Sequence, residues 1–291
     1  MLNYQLTIFV RMTMNFRTMI PLIIVCLTLT FSSTAQNKEQ FPYNLEAPDD
    51  IYLMPSVLEE ISGLSYFGPN QLAALNDEHG RVYIYDIKER KIVQRIRFEG
   101  NGDFEGLELV GKDMFVIKSH GKMFRFNIDI DGVVETIESP FSSENNLEGL
   151  GYDKSSNNLL IALKESGDIK NVNVKGKAVY GYNLDSKSFS KKPLFVLRDA
   201  DLERVLGAKS TKLRPSGIAV NPINGDIYMI ASVGRALVVF DKSGKPKNLT
   251  ILKRSIFPQP EGITFTPNGD LFIANEVDGD GGTILRFEMK K

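Results

Sequence analysis

A short pattern, a small or acidic residue followed by glycine and an aliphatic residue, recurs five times along this chain. It reads Ser62-Gly63-Leu64, Glu105-Gly106-Leu107, Glu148-Gly149-Leu150, Ser216-Gly217-Ile218 and Glu261-Gly262-Ile263. The glycines stand 43, 43, 68 and 45 positions apart. A period of this length is the signature of repeat architectures, in which each copy is one supersecondary unit. One such tripeptide would carry no weight. Five at near-constant spacing constrain the whole fold.

The segments between the copies decide the kind of repeat. After Gly63 come four runs rich in Ile, Val, Tyr and Phe, at 64–67, 71–75, 81–87 and 91–98, parted by Gly, Asn, Asp or Lys turns. The second copy offers 107–110, 113–118, 122–128 and 133–138, and the third 150–152, 159–164, 178–183 and 193–197. The fourth offers 218–221, 226–232, 236–241 and 249–254. Four short antiparallel strands per repeat make a propeller blade, and helical arrays are excluded because a 3.6-residue period is almost absent. The fifth copy has three strands, 263–266, 270–275 and 283–287, while an unmatched segment, 50–54, precedes the first motif. The expected fold is therefore all-β, a five-bladed β-propeller over 50–291 whose ring is closed by an N-terminal strand completing the last blade. The long third interval holds a Lys, Gly and Asn-rich loop at 165–177 and a short surface helix within 199–213.

Upstream of the ring the chain changes character. Arg11 and Arg17 precede an apolar run from Met19 to Phe31, and Ser33-Thr34-Ala35 follows it. This is the layout of a secretory signal peptide over 1–35, cut after Ala35, with an uncleaved N-terminal membrane anchor as the alternative. The run is short for a membrane span, which needs about 20 apolar residues. Residues 36–49 read as an N-terminal tail or wrap. The one cysteine, Cys26, lies inside the apolar run, so a cleaved chain has neither disulfides nor a thiolate metal site. The expectation is an exported monomer, periplasmic or extracellular, attached to a membrane only if the segment is uncleaved. A net charge of −1 gives no basic face for nucleic acid.

Chemistry enters through the repeat itself. If the motifs open the innermost strands, Ser62, Glu105, Glu148, Ser216 and Glu261 are equivalent by rotation and ring the central channel, each followed by a glycine that lets backbones pack closely. Three carboxylates in a narrow channel repel one another, and a hard cation would relieve them. Oxygen ligands of this kind suit Ca²⁺, held by Glu105, Glu148 and Glu261. Backbone N–H groups, arginines or water could satisfy the same glutamates. A second polar set ends the next strands: Asn76-Asp77-Glu78-His79, Lys118-Ser119-His120, Lys164-Glu165, Ser232 and Asn275-Glu276. It is expected at the opposite mouth or in the loops beside it, where it would bind a small polar ligand or form ordinary hairpin turns. No Gly-x-Ser-x-Gly, phosphate-binding loop or His-Glu-x-x-His motif is present.

Several longer runs, Leu58-Glu-Glu-Ile-Ser-Gly-Leu64, Leu75-Asn-Asp-Glu78, Asp103-Phe-Glu-Gly106, Asn145-Asn-Leu-Glu-Gly-Leu150, Pro258-Gln-Pro-Glu-Gly-Ile263 and Ala274-Asn-Glu276, resemble the SdiA-regulated family of bacterial propellers, which is similar to the NHL-repeat propellers. The resemblance spans about Ile51 to Phe287. It implies five blades, an exported or membrane-associated protein and calcium in the propeller. The ligands would be Glu105, Glu148 and Glu261, with Asp77, Glu78, Asn275 and Glu276 around them; the second polar set adds His120 to the candidate ligand-binding residues. Two functions are the expectations: a non-catalytic, calcium-binding module for a small polar ligand or a protein, or a calcium-dependent lactonase or esterase with His120, Glu78 or Glu276 as base.

Overall fold

The structure is a computed structural model that describes residues 41–206, 212–276 and 281–290. Its strands form five antiparallel sheets. The first blade is β2 (Ile61–Gly68), β3 (Gln71–Asn76), β4 (His79–Asp86) and β5 (Lys91–Asn101). The second is β6 (Phe104–Val110), β7 (Asp113–Lys118), β8 (Met123–Asn127) and β9 (Val134–Ile137). The third is β10 (Leu147–Asp153), β11 (Asn158–Leu163) and β12 (Lys177–Asn183), and its outer strand is broken into β13 (Ser188–Phe189) and β14 (Phe195–Leu197). The fourth is β15 (Arg214–Val220), β16 (Ile227–Val233), β17 (Ala236–Phe240) and β18 (Pro246–Ile251). The fifth runs β19 (Pro260–Phe265), β20 (Leu271–Asn275), β21 (Thr283–Phe287), and is completed by β1 (Asp50–Leu53).

The closing strand behaves as its position in the sequence requires. Tyr52 lies opposite Ile284 and Asp50 opposite Arg286 in an antiparallel pair. The Arg286 guanidinium binds Asp50 at 3.0 Å and Asp270 at 2.8 Å, so first and last strands of the chain are tied by charge as well as by backbone. Residues 41–49 wrap rather than trail. Tyr43 is buried between the fourth and fifth blades, and its hydroxyl donates to Gly269 O at 2.6 Å. Residues 1–40, which carry the expected signal peptide or anchor, lie outside the described residues. Among the described residues no helix is long and apolar enough to cross a membrane.

The core is a ring of five seams. Strand side chains alternate between faces, so consecutive residues of one strand serve opposite seams. In β3, Leu72 and Ala74 pack against the fifth blade, whereas Ala73 and Leu75 pack against the second. Both faces of an inner strand are therefore buried, and β3, β11 and β20 read as apolar runs without polar alternation. Outer strands face water on one side. In β5 most residues are exposed, and Lys91, Arg95, Arg97 and Glu99 charge an edge that would otherwise invite pairing.

The long interval matches its expected insertions. A loop links β11 to β12, with Asn145 Nδ2 donating to Ser166 O and Asp168 O at 2.9 and 2.6 Å. A helix, α1 (Asp199–Leu206), buries Leu202 against the seam between the third and fourth blades.

Candidate functional site

The repeated motif encodes a β-bulge. In the first blade Ile61 lies opposite Asn76 and Gly63 opposite Leu75, so Ser62 has no partner. The same slip occurs between Phe104 and Gly106, Leu147 and Gly149, Pro215 and Gly217, and Pro260 and Gly262. The unpaired residues are thus Ser62, Glu105, Glu148, Ser216 and Glu261. A bulge bends the strand and re-aims the extra side chain, and all five motifs line one narrow space at the propeller axis, with a volume of about 10 Å³, room for about one water. Each innermost strand consequently starts before its motif, not at the aliphatic residue after it.

The glycines are required for space. A Cβ on Gly217 would fall 2.7 Å from Glu261 O in the next blade, and one on Gly106 would fall 3.0 Å from Glu148 O. On Gly149 it would meet Ile218 N at 2.9 Å, on Gly63 the Leu107 side chain at 2.8 Å, and on Gly262 Leu64 Cβ at 2.9 Å. Each contact reaches the following blade, and the last returns to the first. No positive φ is involved; the backbones simply approach too closely for a side chain.

Serines and glutamates at this ring do different things. Ser62 Oγ donates to Phe104 O at 2.7 Å and Ser216 Oγ to Pro260 O at 2.6 Å, so both staple their blade to the next. Glu148 is 1 % exposed and accepts a hydrogen bond from Lys164 Nζ at 2.8 Å. Burial, followed by the charges of Glu148 and Asp103, pushes the Glu105 carboxyl well up. Burial also raises Glu148, against the pull of Lys164, and Glu105 shares a hydrogen bond with it. Burial and the charge of Glu148 push Glu261 up to about 8. At neutral pH this cluster holds protons as well as the lysine.

The second polar set lies at the same mouth, which corrects its expected place at the opposite one. The reason is antiparallel pairing: a tight hairpin brings the second strand back to where the first began. Asn76 ends opposite Ile61, Lys118 opposite Phe104, Leu163 opposite Leu147 and Asn275 opposite Pro260. Asp77 therefore faces Glu60, Glu276 and Glu78, and its carboxyl is pushed up to about 6 by burial and then by their charges. Asp77 Oδ1 is buried with no hydrogen-bond partner. Glu78 is exposed at the rim, and Glu276 accepts from Gln259 Nε2 at 2.6 Å.

Other expected members of the site are held in turns or within a blade. His120 is exposed on the turn after β7. The His79 ring lies 2.6 Å from Asn76 Oδ1, which also accepts from the amides of Glu78 and His79 and so caps the β3–β4 turn. Asn275 is fully buried, and its Nδ2 donates to Ile256 O and Thr283 Oγ1 at 3.4 and 3.2 Å. Sequence reasoning names Lys164 but expects it away from Glu148, which it neutralises here, and it passes over Glu60, Asp103 and Glu108. Asp103 accepts a hydrogen bond from the Ser119 hydroxyl. Glu108 is pushed up to about 8 by burial, with Ser65 as its hydrogen-bond partner. The repeat does mark that position: two residues after each glycine stand Ser65, Glu108, Gly151, Ala219 and Thr264, small in every blade but the second.

A mouth with Glu60, Asp77, Asp103, Glu105, Glu148, Glu261 and Glu276 around the half-buried Lys164 and Lys118 carries more acids than bases, and so attracts cations and repels anions. Its donor chemistry is oxygen throughout and suits a hard cation, and Asp77 Oδ1 stands unsatisfied. The arrangement is nonetheless closed around Lys164. Among the described residues no three acid or histidine side chains are grouped to hold a metal ion.

The SdiA-regulated family model matches residues 38–278. The chain belongs to the SdiA-regulated family. Among solved structures it is similar to a Bacteroides thetaiotaomicron VPI-5482 protein of unknown function, with a TM-score of 0.51 at 12% identity, covering 82% of this chain and 60% of that one. A luciferin-regenerating enzyme aligns with a TM-score of 0.49 at 12% identity over 83% of this chain and 95% of its own. A streptogramin B lyase aligns at 0.48 and 10% identity over 82% and 97%. At such identities the likeness concerns the fold alone. No curated protein matches the sequence.

Proposed function

We propose that this member of the SdiA-regulated family is an exported, non-catalytic, monomeric binding propeller that takes a small cationic or polar ligand, calcium foremost, at the acidic mouth of its channel. The observation that carries the reading is the convergence of the bulge glutamates and the acids ending the second strands on one mouth, with Asp77 Oδ1 buried and unpartnered. A divalent cation entering there competes with two occupants already in place, the Lys164 ammonium and the protons that burial keeps on the glutamates. Affinity should therefore rise with pH. The basic n-region, apolar run and small residues before position 36 support export.

Calorimetric titration of calcium into wild type and Glu148→Gln tests this. One-to-one binding to wild type, abolished in the variant, is expected; wild type that binds no calcium, or a variant that binds equally, refutes the assignment. A panel of lactones and esters run on the same two proteins separates binder from hydrolase. Turnover by wild type that is lost in Glu148→Gln would replace the binding reading with the calcium-dependent hydrolase.

A further inference from the structure

A second concavity lies away from the channel, along the outer seam between the third and fourth blades, with a volume of about 770 Å³. That is the size of a small-molecule site. Three departures from blade regularity build it: the β11–β12 insertion, the break between β13 and β14, and the helix α1. The β17–β18 turn closes its far end. Each of these segments contributes a cation: Lys175, Lys192, Arg198 with Arg204, and Lys245. Asp201 is the one acid that lines it. Among the described residues, Arg204 is the one groove cation with an ion pair, to Asp201 at 3.1 Å.

The charge of this groove runs against that of the molecule. In a chain of net charge −1, five cations from four separate segments share one concavity with a single carboxylate. Like charges brought together in this way favour an anionic occupant. The two arginines offer planar forks suited to carboxylate or sulfate, and the lysines offer point charges at the ends. Between the cations the wall is apolar and aliphatic, with Pro193, Val174 and Leu194, the last 43% exposed. Its floor is fixed, since the Phe195 ring packs on Phe240 at 5.0 Å and Gly244 sits against Phe195. Nucleobases bind single-stranded sites by stacking on aromatic faces. Here the one lining aromatic is already engaged with Phe240.

We propose that this groove binds an acidic oligosaccharide, with sulfate or carboxylate groups at the cations and sugar rings along the aliphatic wall. Calorimetric titrations with a sulfated tetrasaccharide, a tetrauronate, a neutral tetrasaccharide and a single-stranded oligonucleotide test it and separate the two sources of negative charge. At about 50 mM salt at least one acidic saccharide binds one-to-one and the neutral one does not, and the affinity falls steeply by about 200 mM. The double variant Lys192→Ala/Arg198→Ala loses about tenfold or more in affinity, about 1.4 kcal/mol. The control Lys88→Ala/Lys154→Ala, at exposed lysines outside the groove lining, stays within about twofold. Unchanged thermal unfolding in both variants shows that folding is not the cause. Failure of both acidic saccharides to bind, equal binding by the groove variant, or tighter binding of the oligonucleotide overturns the proposal.

Discussion

The channel mouth and the side groove are opposites in how they arise and in what holds their charge. The mouth is a product of repetition: five bulges, five glycines and five returning hairpins bring carboxylates to one axis. The groove is a product of broken repetition, made where the third blade splits its outer strand and inserts a loop and a helix. The bulge glutamates at the bottom of the mouth are largely buried, so they hold protons and one another. Those in the groove are exposed on lysines and arginines of separate segments. Burial converts a charge into a structural commitment, whereas exposure leaves it free for a ligand.

The sharpest way to break this contrast is Lys164→Met. It strips the buried Glu148 of its counter-charge and is expected to cost about 3 kcal/mol at pH 7.5 by chemical denaturation. The cost should shrink at pH 5, where Glu148 takes up a proton instead. A loss no larger than that of an exposed lysine, about 0.5 kcal/mol, would mean the mouth is as well solvated as the groove. Next in size, Gly217→Ala forces a Cβ against Glu261 O and should cost about 2 kcal/mol. Gly68→Ala, where a Cβ meets nothing within 4 Å, provides the reference and should change stability by about 0.5 kcal/mol or less. Equal effects would remove close blade approach as the reason for the repeated glycine.

The smallest effect is the most diagnostic of buried acids. Asp77 and Glu261 have raised values in the folded protein, about 6 and about 8, so the native state binds their protons more tightly than the unfolded chain does. Their favourable contribution is complete below the ordinary carboxylate range and is lost as pH climbs through those values. Stability should thus fall between about pH 5 and about pH 9, and Glu261→Gln should flatten the upper part of the fall and gain about 1 kcal/mol at pH 8.5. A profile that rises over this interval would contradict the protonated cluster.

Most of the ring is legible in the sequence because one physical requirement, close approach of five backbones, recurs at Gly63, Gly106, Gly149, Gly217 and Gly262. The leftover strand at Asp50–Leu53 can be assigned by counting, since the fifth copy lacks one. The site is legible only in part. Glu105, Glu148 and Glu261 stand out by equivalence, but nothing in a linear period tells that the extra residue is bulged. A glycine inside a strand is the available clue. Strand direction followed without the hairpin's return sends Lys164 and Asp77 to the wrong mouth. His120 and Asn275 carry residue types that suit a site, yet one is exposed on a turn and the other is bonded within its blade. The groove leaves no signature, for its cations come from four segments that have no common spacing.

The proposed cation site at the mouth is closed in the free protein by protons and Lys164. It is tested most directly by the protons released when calcium binds, read from binding heats in buffers of different ionisation enthalpy at pH 7. Release of about one proton or more per calcium, absent in Glu148→Gln, is the predicted result. Calcium that binds without releasing protons, or binds equally well to the variant, would place the cation elsewhere and contradict the account.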